Sequence, residues 1–352
     1  MRALSCETCG IPRGISKGNV WRTDGSISGR FPPYIKGTFL DVEEINHLFR
    51  SLSDFLGFDI GGIVAGGKYH DAKEYMSALV EKMKESSGGK PPPPEEFYRM
   101  MLHPVFIWGI AEVRFVSIRP EKMVIEVKDP YSVPLLCGDV AAVADVVEGG
   151  EHRAEWDGDD QEGIMTVLPG VAFAQVGGRV EEETAVEVQP LTEELPCEAC
   201  EECGAPRAVS ELFRWEAGRC VITERGTGRR YCYNNSKGIS AVLKLLVSEL
   251  GEELDREMVD ISRAYSCALY GGLAGGFELE KELGSFPYRG WGRVREIASG
   301  TGELAVAVEN PYNETLVVGR IWGMGEASRG CSLLLEEKTV EANVLRLAFK
   351  PS

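Results

Sequence analysis

Two pairs of cysteines carry the clearest chemical signal in the sequence. Cys6 and Cys9, and again Cys200 and Cys203, are separated by two residues and followed directly by glycine. Two thiolates at this spacing can bind one metal ion, and the glycine lets backbone N–H groups turn toward the sulfurs. This is the pattern of a zinc knuckle. Each knuckle supplies only two of the four ligands that a closed structural zinc site requires.

We expect the four cysteines to meet in one structural Cys₄ zinc site, with three alternatives. Two separate sites would need other ligands, for which the first half offers His47 while the second half contains no histidine. Cys197 together with Cys200 and Cys203 resembles the start of an iron–sulfur run, without its fourth cysteine and proline. The third alternative is thiols that bind no metal. The remaining cysteines are expected to be buried small hydrophobes: Cys137, Cys220, Cys232, Cys267 and Cys331.

The sequence offers no set of residues for catalysis. It contains no nucleophile elbow, no ordered Ser/His/Asp set and no HExxH helix. Residues 62–68 follow the phosphate-loop spacing GxxxxGK, but the next residue is Tyr69, where that motif requires a magnesium-binding hydroxyl. We therefore expect a loop between helices at this point. A binding or accessory protein is favoured over an enzyme.

Five residues are candidates for a ligand pocket. His103 stands where the matching segment of the second half has Phe286, so it could be a polar group in a pocket or an axial ligand for a haem-like tetrapyrrole. The alternative is a partly buried histidine that bonds to the backbone. The aromatic candidates occupy matched positions in the two halves, and their alternative is an ordinary core role: Trp108, Tyr131, Trp291 and Tyr312.

The cysteine motif belongs to a longer internal repeat. The second motif lies 194 residues after the first, and Trp215 follows Trp21 at the same distance. The offset is 183 at the later Trp-Gly pairs and 181 at the Pro-Tyr pairs. Such a sustained register is typical of a tandem duplication. The sequence therefore predicts one domain at residues 1–179, a second copy at 197–352, and an acidic linker at 180–196.

Both copies show the same expected order of secondary structure. A short strand pair follows the cysteines, and then comes an amphipathic helix. In the first copy this helix begins at the capping pair Asp41 and Glu44 and ends at Gly57. A further helix, two strands, a helix and two closing strands complete the unit. This order predicts an α+β fold: two tandem copies of an antiparallel-sheet domain with packed helices, related by a pseudo-twofold axis.

The later part of each copy resembles the 4-vinyl reductase domain, also called the hydrocarbon-binding domain. In the second half a Pro-Tyr turn at Tyr312 leads into a helix with Gly319 and then into two strands; Tyr131 and Gly138 begin the same order in the first half. The resemblance extends over residues 20–170 and 214–350. It implies a small apolar or tetrapyrrole-like ligand, often in a sensor, and dimerisation of the domain. Two tandem copies would then form an intramolecular pseudo-dimer.

Composition limits the partners. The chain has 38 basic and 55 acidic residues and a formal net charge of −17, which argues against nucleic acid and anionic membranes as partners. No apolar run is long enough to span a membrane and the first ten residues are too polar for a signal peptide, so we expect a cytoplasmic protein. The expected partner is a small apolar ligand. A protein partner in a larger complex could bind the acidic linker or the proline-rich tract ending at Pro94.

The alternative function is a redox enzyme or sensor. It would carry a haem-like tetrapyrrole or an iron–sulfur centre, bound through His103 or through Cys197, Cys200 and Cys203. The favoured function remains a protein that binds a small hydrophobic ligand and whose two copies are joined by zinc.

Overall fold

The chain folds into α-helices and three antiparallel β-sheets, in the mixed α+β class that the sequence predicts. The computed structural model describes residues 5–31, 34–86, 88–90, 92–119, 121–171, 192–216, 219–273, 276–300 and 303–352. Most of the predicted linker, residues 180–191, lies outside these ranges. No helix in the described part of the chain combines the length and the apolar character that a membrane span requires.

The elements follow a similar order in both halves. Those of the first half are α1 (Arg13–Gly18), β1 (Asn19–Trp21), β2 (Ile27–Gly29), β3 (Lys36–Asp41), α2 (Val42–Leu56), α3 (Gly61–Ser86), α4 (Pro94–Ile107), β4 (Glu112–Arg119), β5 (Lys122–Lys128), α5 (Val133–Glu148), β6 (His152–Gly158) and β7 (Glu162–Pro169). Those of the second half are α6 (Arg207–Leu212), β8 (Phe213–Glu216), β9 (Val221–Glu224), β10 (Arg230–Asn235), α7 (Ser236–Leu250), α8 (Glu253–Gly271), α9 (Leu279–Gly284), α10 (Phe286–Arg289), β11 (Arg293–Ser299), β12 (Leu304–Glu309), α11 (Glu314–Arg329), β13 (Leu333–Glu341) and β14 (Val344–Pro351). The short helices α9 and α10 stand where the first half has α4.

One sheet contains strands from both halves. Its order is β1-β2-β3-β10-β9-β8, and β3 pairs with β10 in an antiparallel register that places Phe39 opposite Tyr233. Each half also has its own four-stranded sheet, ordered β4-β5-β7-β6 in the first and β11-β12-β14-β13 in the second. The two halves are therefore joined by main-chain hydrogen bonds as well as by side-chain packing.

The Trp-Gly segment of each half binds the central strand of the other half. The carbonyl of Trp108 accepts a hydrogen bond from the Tyr233 N–H of β10 at 2.7 Å. In the reciprocal contact, the indole N–H of Trp291 donates to the Phe39 carbonyl of β3 at 2.7 Å. Buried backbone groups must find such partners. Each half thus satisfies polar groups of the other.

Helix α2 has the ends that the sequence predicts. The side chain of Asp41 accepts hydrogen bonds from the backbone N–H groups of Glu43 and Glu44, and Gly57 ends the helix in the left-handed conformation with φ of 74°. The second half of the predicted capping box is absent. Instead of returning to the helix start, the Glu44 side chain is buried and forms an ion pair with Arg320 on α11.

The glycine-rich segment at residues 62–68 is helical, so the predicted loop is wrong. It forms the first turns of α3, which begins where the carboxylate of Asp59 accepts the Gly61 N–H at 2.9 Å. Gly67 faces helix α7, and a Cβ on it would lie 3.1 Å from the Cα of Val242. Gly67 therefore permits α3 and α7 to pack closely, and the helical segment does not form a phosphate-binding loop.

Close helix crossings recur at matched glycines. A Cβ on Gly138 of α5 would lie 2.3 Å from the carbonyl oxygen of Ala65 on α3. A Cβ on Gly319 of α11 would lie 2.6 Å from the carbonyl oxygen of Val259 on α8. In both halves a side chain would push the two helices apart, because a backbone oxygen cannot move away alone.

Replacing Gly138 by alanine is therefore expected to destabilise the protein by about 1–3 kcal/mol through overpacking. Gly62→Ala is the matched control, because an added Cβ there meets no atom within 4 Å and the residue is helical. The control should be neutral or stabilising by up to about 1 kcal/mol. Urea unfolding of both variants measures the difference, and equal midpoints would contradict the close crossing.

Candidate metal centre and apolar cavity

The four knuckle cysteines lie together. The Sγ atoms of Cys6 and Cys200 are 3.6 Å apart, those of Cys9 and Cys203 are 3.5 Å apart, and all four lie within 4.8 Å of one another. These separations exclude disulfide bonds, whose sulfurs lie about 2.05 Å apart. The cluster joins one knuckle from each half of the chain and could hold a metal ion.

Each knuckle is a tight turn closed by the backbone. In the first turn the Gly10 N–H donates to the Cys6 carbonyl and the Cys6 N–H donates to the Ile11 carbonyl, both at 2.9 Å. Both bonds recur in the second turn at Cys200 and Gly204. The two glycines have φ values of 76° and 78°, which side chains disfavour. This geometry explains why each pair of cysteines is followed by glycine.

The donor set fits a single thiophilic ion. Tetrahedral zinc with Zn–S bonds of about 2.3 Å separates its sulfurs by roughly 3.8 Å, close to the observed spacing. Backbone N–H groups of Cys203 and Glu202 lower the pKa of the Cys200 thiol to about 7, whereas burial raises the pKa of Cys6. A bound cation would hold all four as thiolates. With four protein ligands the site would have no open position, as in structural sites.

Glu202 fastens the two knuckles to each other. Its carboxylate accepts hydrogen bonds from the Thr8 hydroxyl at 2.9 Å and the Thr8 N–H at 3.1 Å, and it pairs with Arg13 at 2.7 Å. Hydrogen bonds from Cys6 and Thr8 lower the pKa of Glu202 to about 2. The cluster is therefore supported by contacts across the halves besides the sulfurs.

The other cysteines divide into three groups. Cys137, Cys220 and Cys232 are buried as expected, and Cys267 is half-buried. Cys331 is exposed, so its predicted burial is wrong; it follows the left-handed Gly330 at the end of α11. Cys197 is half-buried and lies outside the group of four. The three closely spaced cysteines therefore do not form one ligand set.

A cavity of about 390 Å³ lies between α3, α4, α5 and the strands β4 and β5 of the first half, and residues 233–235 of β10 in the second half also line it. Most of its wall is aliphatic, sulfur-containing or aromatic. Residues of this kind include Met76, Leu79, Met101, Val105, Phe115 and Leu136. Its volume is within the range of small-molecule sites, about 300–1,000 Å³.

A charged cluster forms part of the cavity wall. The Lys68 ammonium lies 2.9 Å from an Asp71 oxygen, 3.5 Å from an Asp139 oxygen and 3.4 Å from the Asn234 amide oxygen. Burial acts to lower the pKa of Lys68, but the charges of Asp139 and Asp71 outweigh it and raise the pKa. Burial raises the pKa of Asp139, against the attraction of Lys68. The hydroxyl of Tyr131, which does not itself line the cavity, donates a hydrogen bond to Asp139 at 2.7 Å.

Only one of the five predicted ligand residues lines this cavity. Trp108 does so, whereas Tyr131 reaches it only through Asp139. Trp291 and Tyr312 stack on each other in the second half, with ring centroids 6.1 Å apart. His103 is exposed on α4, a helix that the sequence analysis did not predict, and no described residue of the cavity wall is a histidine.

Sequence reasoning missed the three charged residues. In the sequence Lys68 stands at the end of the phosphate-loop spacing, and neither Asp71 nor Asp139 belongs to a recognisable motif. A usable signal was present in the repeat offsets, because the position matched to Asp139 in an otherwise apolar helix is Arg320. A charge reversal inside two matched apolar helices marks a buried polar site.

The matching region of the second half is filled. Arg320 forms a buried ion pair with Glu44 of α2, and its guanidinium carbon lies 3.6 Å from the ring centroid of Trp291. Ser262, matched to Lys68, donates to Glu44 at 2.7 Å. Trp291 is 1% exposed, whereas the matching Trp108 is half-buried at the cavity. The two halves therefore differ in their charged and aromatic contacts where the cavity lies.

Mutating Cys6 to serine should release the metal from Cys200 and Cys203 as well, because all four cysteines contact one ion. We expect elemental analysis after dialysis against a weak chelator to find about one ion per wild-type chain and far less in the variant. The thermal stability of the variant should fall as well, because it loses the metal. Cys331→Ser is the control and should retain both, while full retention by Cys6→Ser would contradict a shared site.

Replacing Arg320 by methionine should cost about 3–5 kcal/mol, because Glu44 is left buried without its counter-charge. The double variant with Glu44→Gln should recover part of that loss. Unfolding free energies of the two single variants and the double variant form a cycle that measures the coupling. Strict additivity would contradict the buried ion pair.

No protein-family model matches the chain, and no curated protein matches it. The function is therefore inferred from the metal centre and the cavity themselves.

Proposed function

We propose that the protein binds a small, mainly apolar ligand in the cavity of its first half, as a binding or accessory protein. The observation that carries this proposal is the cavity of about 390 Å³ with its largely apolar wall and its single cluster of charged side chains. Such a combination of apolar surface and a few fixed polar groups is typical of ligand sites. Among the described residues of the cavity wall no nucleophile is paired with a base, which favours binding over catalysis.

The difference between the halves supports this proposal. In the second half the matching space is occupied by Trp291, Arg320 and Glu44, which pack against one another. An apolar cavity costs stability, because the atoms along its wall lose packing contacts. A cavity retained in one half and filled in the other is reasonable if the first half binds a ligand and the second supports it.

We further propose that the two halves are copies related by a pseudo-twofold axis. Phe39 pairs with Tyr233, and Cys6 contacts Cys200; each residue thus meets its own counterpart at the offset of 194. Contacts between equivalent residues are what a twofold axis requires. The order of two strands, a helix and two strands in each half supports the resemblance to the 4-vinyl reductase domain. The chain would then be an intramolecular pseudo-dimer.

In this proposal the metal is zinc and its role is structural. Four cysteines within 4.8 Å suit one ion, whereas an iron–sulfur cluster would hold its ligands farther apart. Reduced thiols agree with a cytoplasmic location. The metal would secure the register of the halves, and binding free energy would add to folding free energy. A single iron ion is the alternative occupant. Visible absorption distinguishes the two metals, because a zinc site is colourless and an iron–thiolate site is not.

Leu79→Trp tests the ligand site by filling the cavity. The fluorescent apolar probe N-phenyl-1-naphthylamine should bind the wild-type protein, and the variant should bind it at least about tenfold more weakly because the indole occupies the space. The matched control is Leu273→Trp, at the position 194 residues later, which lies outside the cavity wall.

Circular dichroism is the check that both variants fold. Probe binding that is equal in all three proteins, or absent from the wild type, would reject the ligand site. An absorption spectrum of the purified protein tests the alternative function: a Soret band would favour a tetrapyrrole protein.

A further inference from the structure

The charges on the cavity wall do not balance. Among the described residues of the wall, Lys68 is the positive side chain and Asp71 and Asp139 are the negative ones. The side chains of Lys68 and Asp71 are 5% and 4% exposed, and that of Asp139 is 25% exposed. Charges so poorly solvated interact more strongly than charges in water. The cluster therefore presents an excess of negative charge to whatever occupies the cavity.

We propose that the ligand is an amphipathic amine, with an apolar body in the cavity and a cationic head against Asp139 and Asp71. The inference rests on the proposed function of the cavity and specifies the chemistry of its ligand. A cationic head would neutralise the excess charge. An anionic head would place a further uncompensated charge in a poorly solvated site, which is costly.

The hydrogen bonds of Lys68 support this choice of head. An ammonium group has three N–H donors. Those of Lys68 have three acceptors, on Asp71, Asp139 and Asn234. Lys68 therefore has no N–H donor left for a carboxylate or phosphate of a ligand. The lysine thus serves to hold the two carboxylates and does not act as an anion receptor.

The carboxylates, by contrast, can accept more. An ionised carboxylate offers about four acceptor positions. Asp139 receives the Tyr131 hydroxyl on one oxygen and the more distant Lys68 on the other, at 3.5 Å. Asp71 receives Lys68 on one oxygen and the Asn235 amide, at 3.1 Å, on the other. Each carboxylate therefore retains acceptor capacity for a donor from the ligand.

One further feature of the wall fits an amine. The hydroxyl of Tyr75, which lines the cavity, has no hydrogen-bond partner in the described part of the chain and can accept another N–H.

Three probes of equal chain length test the head group in the complete protein. Decylamine is a cation at pH 7.5, decanoic acid is an anion and decanol is uncharged. Each is used to displace N-phenyl-1-naphthylamine. Decylamine should displace the probe at a concentration at least about tenfold lower than decanoic acid, with decanol between them.

The variant Asp139→Asn should reduce the preference for decylamine over decanoic acid by about tenfold, because it removes the excess negative charge without changing the side-chain shape. Asp157→Asn is the control. It removes one negative charge from the same half, but its side chain is exposed on β6 and lies outside the cavity wall, so the preference should not change. Asp71→Asn provides a second test should the first variant not fold.

The outcomes separate this inference from the proposed function. If the three compounds displace the probe equally, or if decanoic acid is best, the amine inference is wrong and the apolar site stands. If Asp157→Asn lowers the preference as much as Asp139→Asn, the preference comes from the net charge of the protein and the inference is again wrong. If the wild-type protein binds no probe, the proposed function itself fails.

Discussion

Strands β3 and β10 pair with each other across the two halves, and the main features of the molecule depend on that pairing. It joins the two three-stranded groups into one sheet. The same strands receive the Trp-Gly segments: Trp108 binds the backbone of β10, and Trp291 binds that of β3. Since each half supplies the hydrogen-bond partners that the other half buries, neither could satisfy its interior alone.

The cysteine cluster adds a second constraint on the same arrangement. Cys6 and Cys9 come from the start of the chain, and Cys200 and Cys203 from the start of the second half, so their meeting fixes two distant segments together. Glu202 of the second knuckle adds to this connection, because its carboxylate binds Thr8 and Arg13 of the first half. With sheet and knuckles both shared, the cavity in the first half sits within a scaffold to which both halves contribute.

The sequence predicts features that depend on local rules, and misses those that depend on packing. The CxxCG turns, the Asp41 cap and the Gly57 stop follow from short-range geometry and are present. Residues 62–68 look like a loop because their glycines lower helix propensity, yet contact with α7 makes glycine the residue that fits. The cavity cluster was missed because Lys68 and Asp139 lie on different helices, and periodicity within one helix does not reveal which charges face each other.

The pairing of β3 with β10 also has a consequence for biosynthesis. Asp41 pairs with Tyr231, so β3 leaves the ribosome 190 residues before its partner. Until then one edge of that strand has open N–H and C=O groups, which can pair with other chains. Contacts at such long sequence separation also slow folding. The first half must therefore remain incomplete during translation, and protection of this edge by chaperones would govern the yield of folded protein.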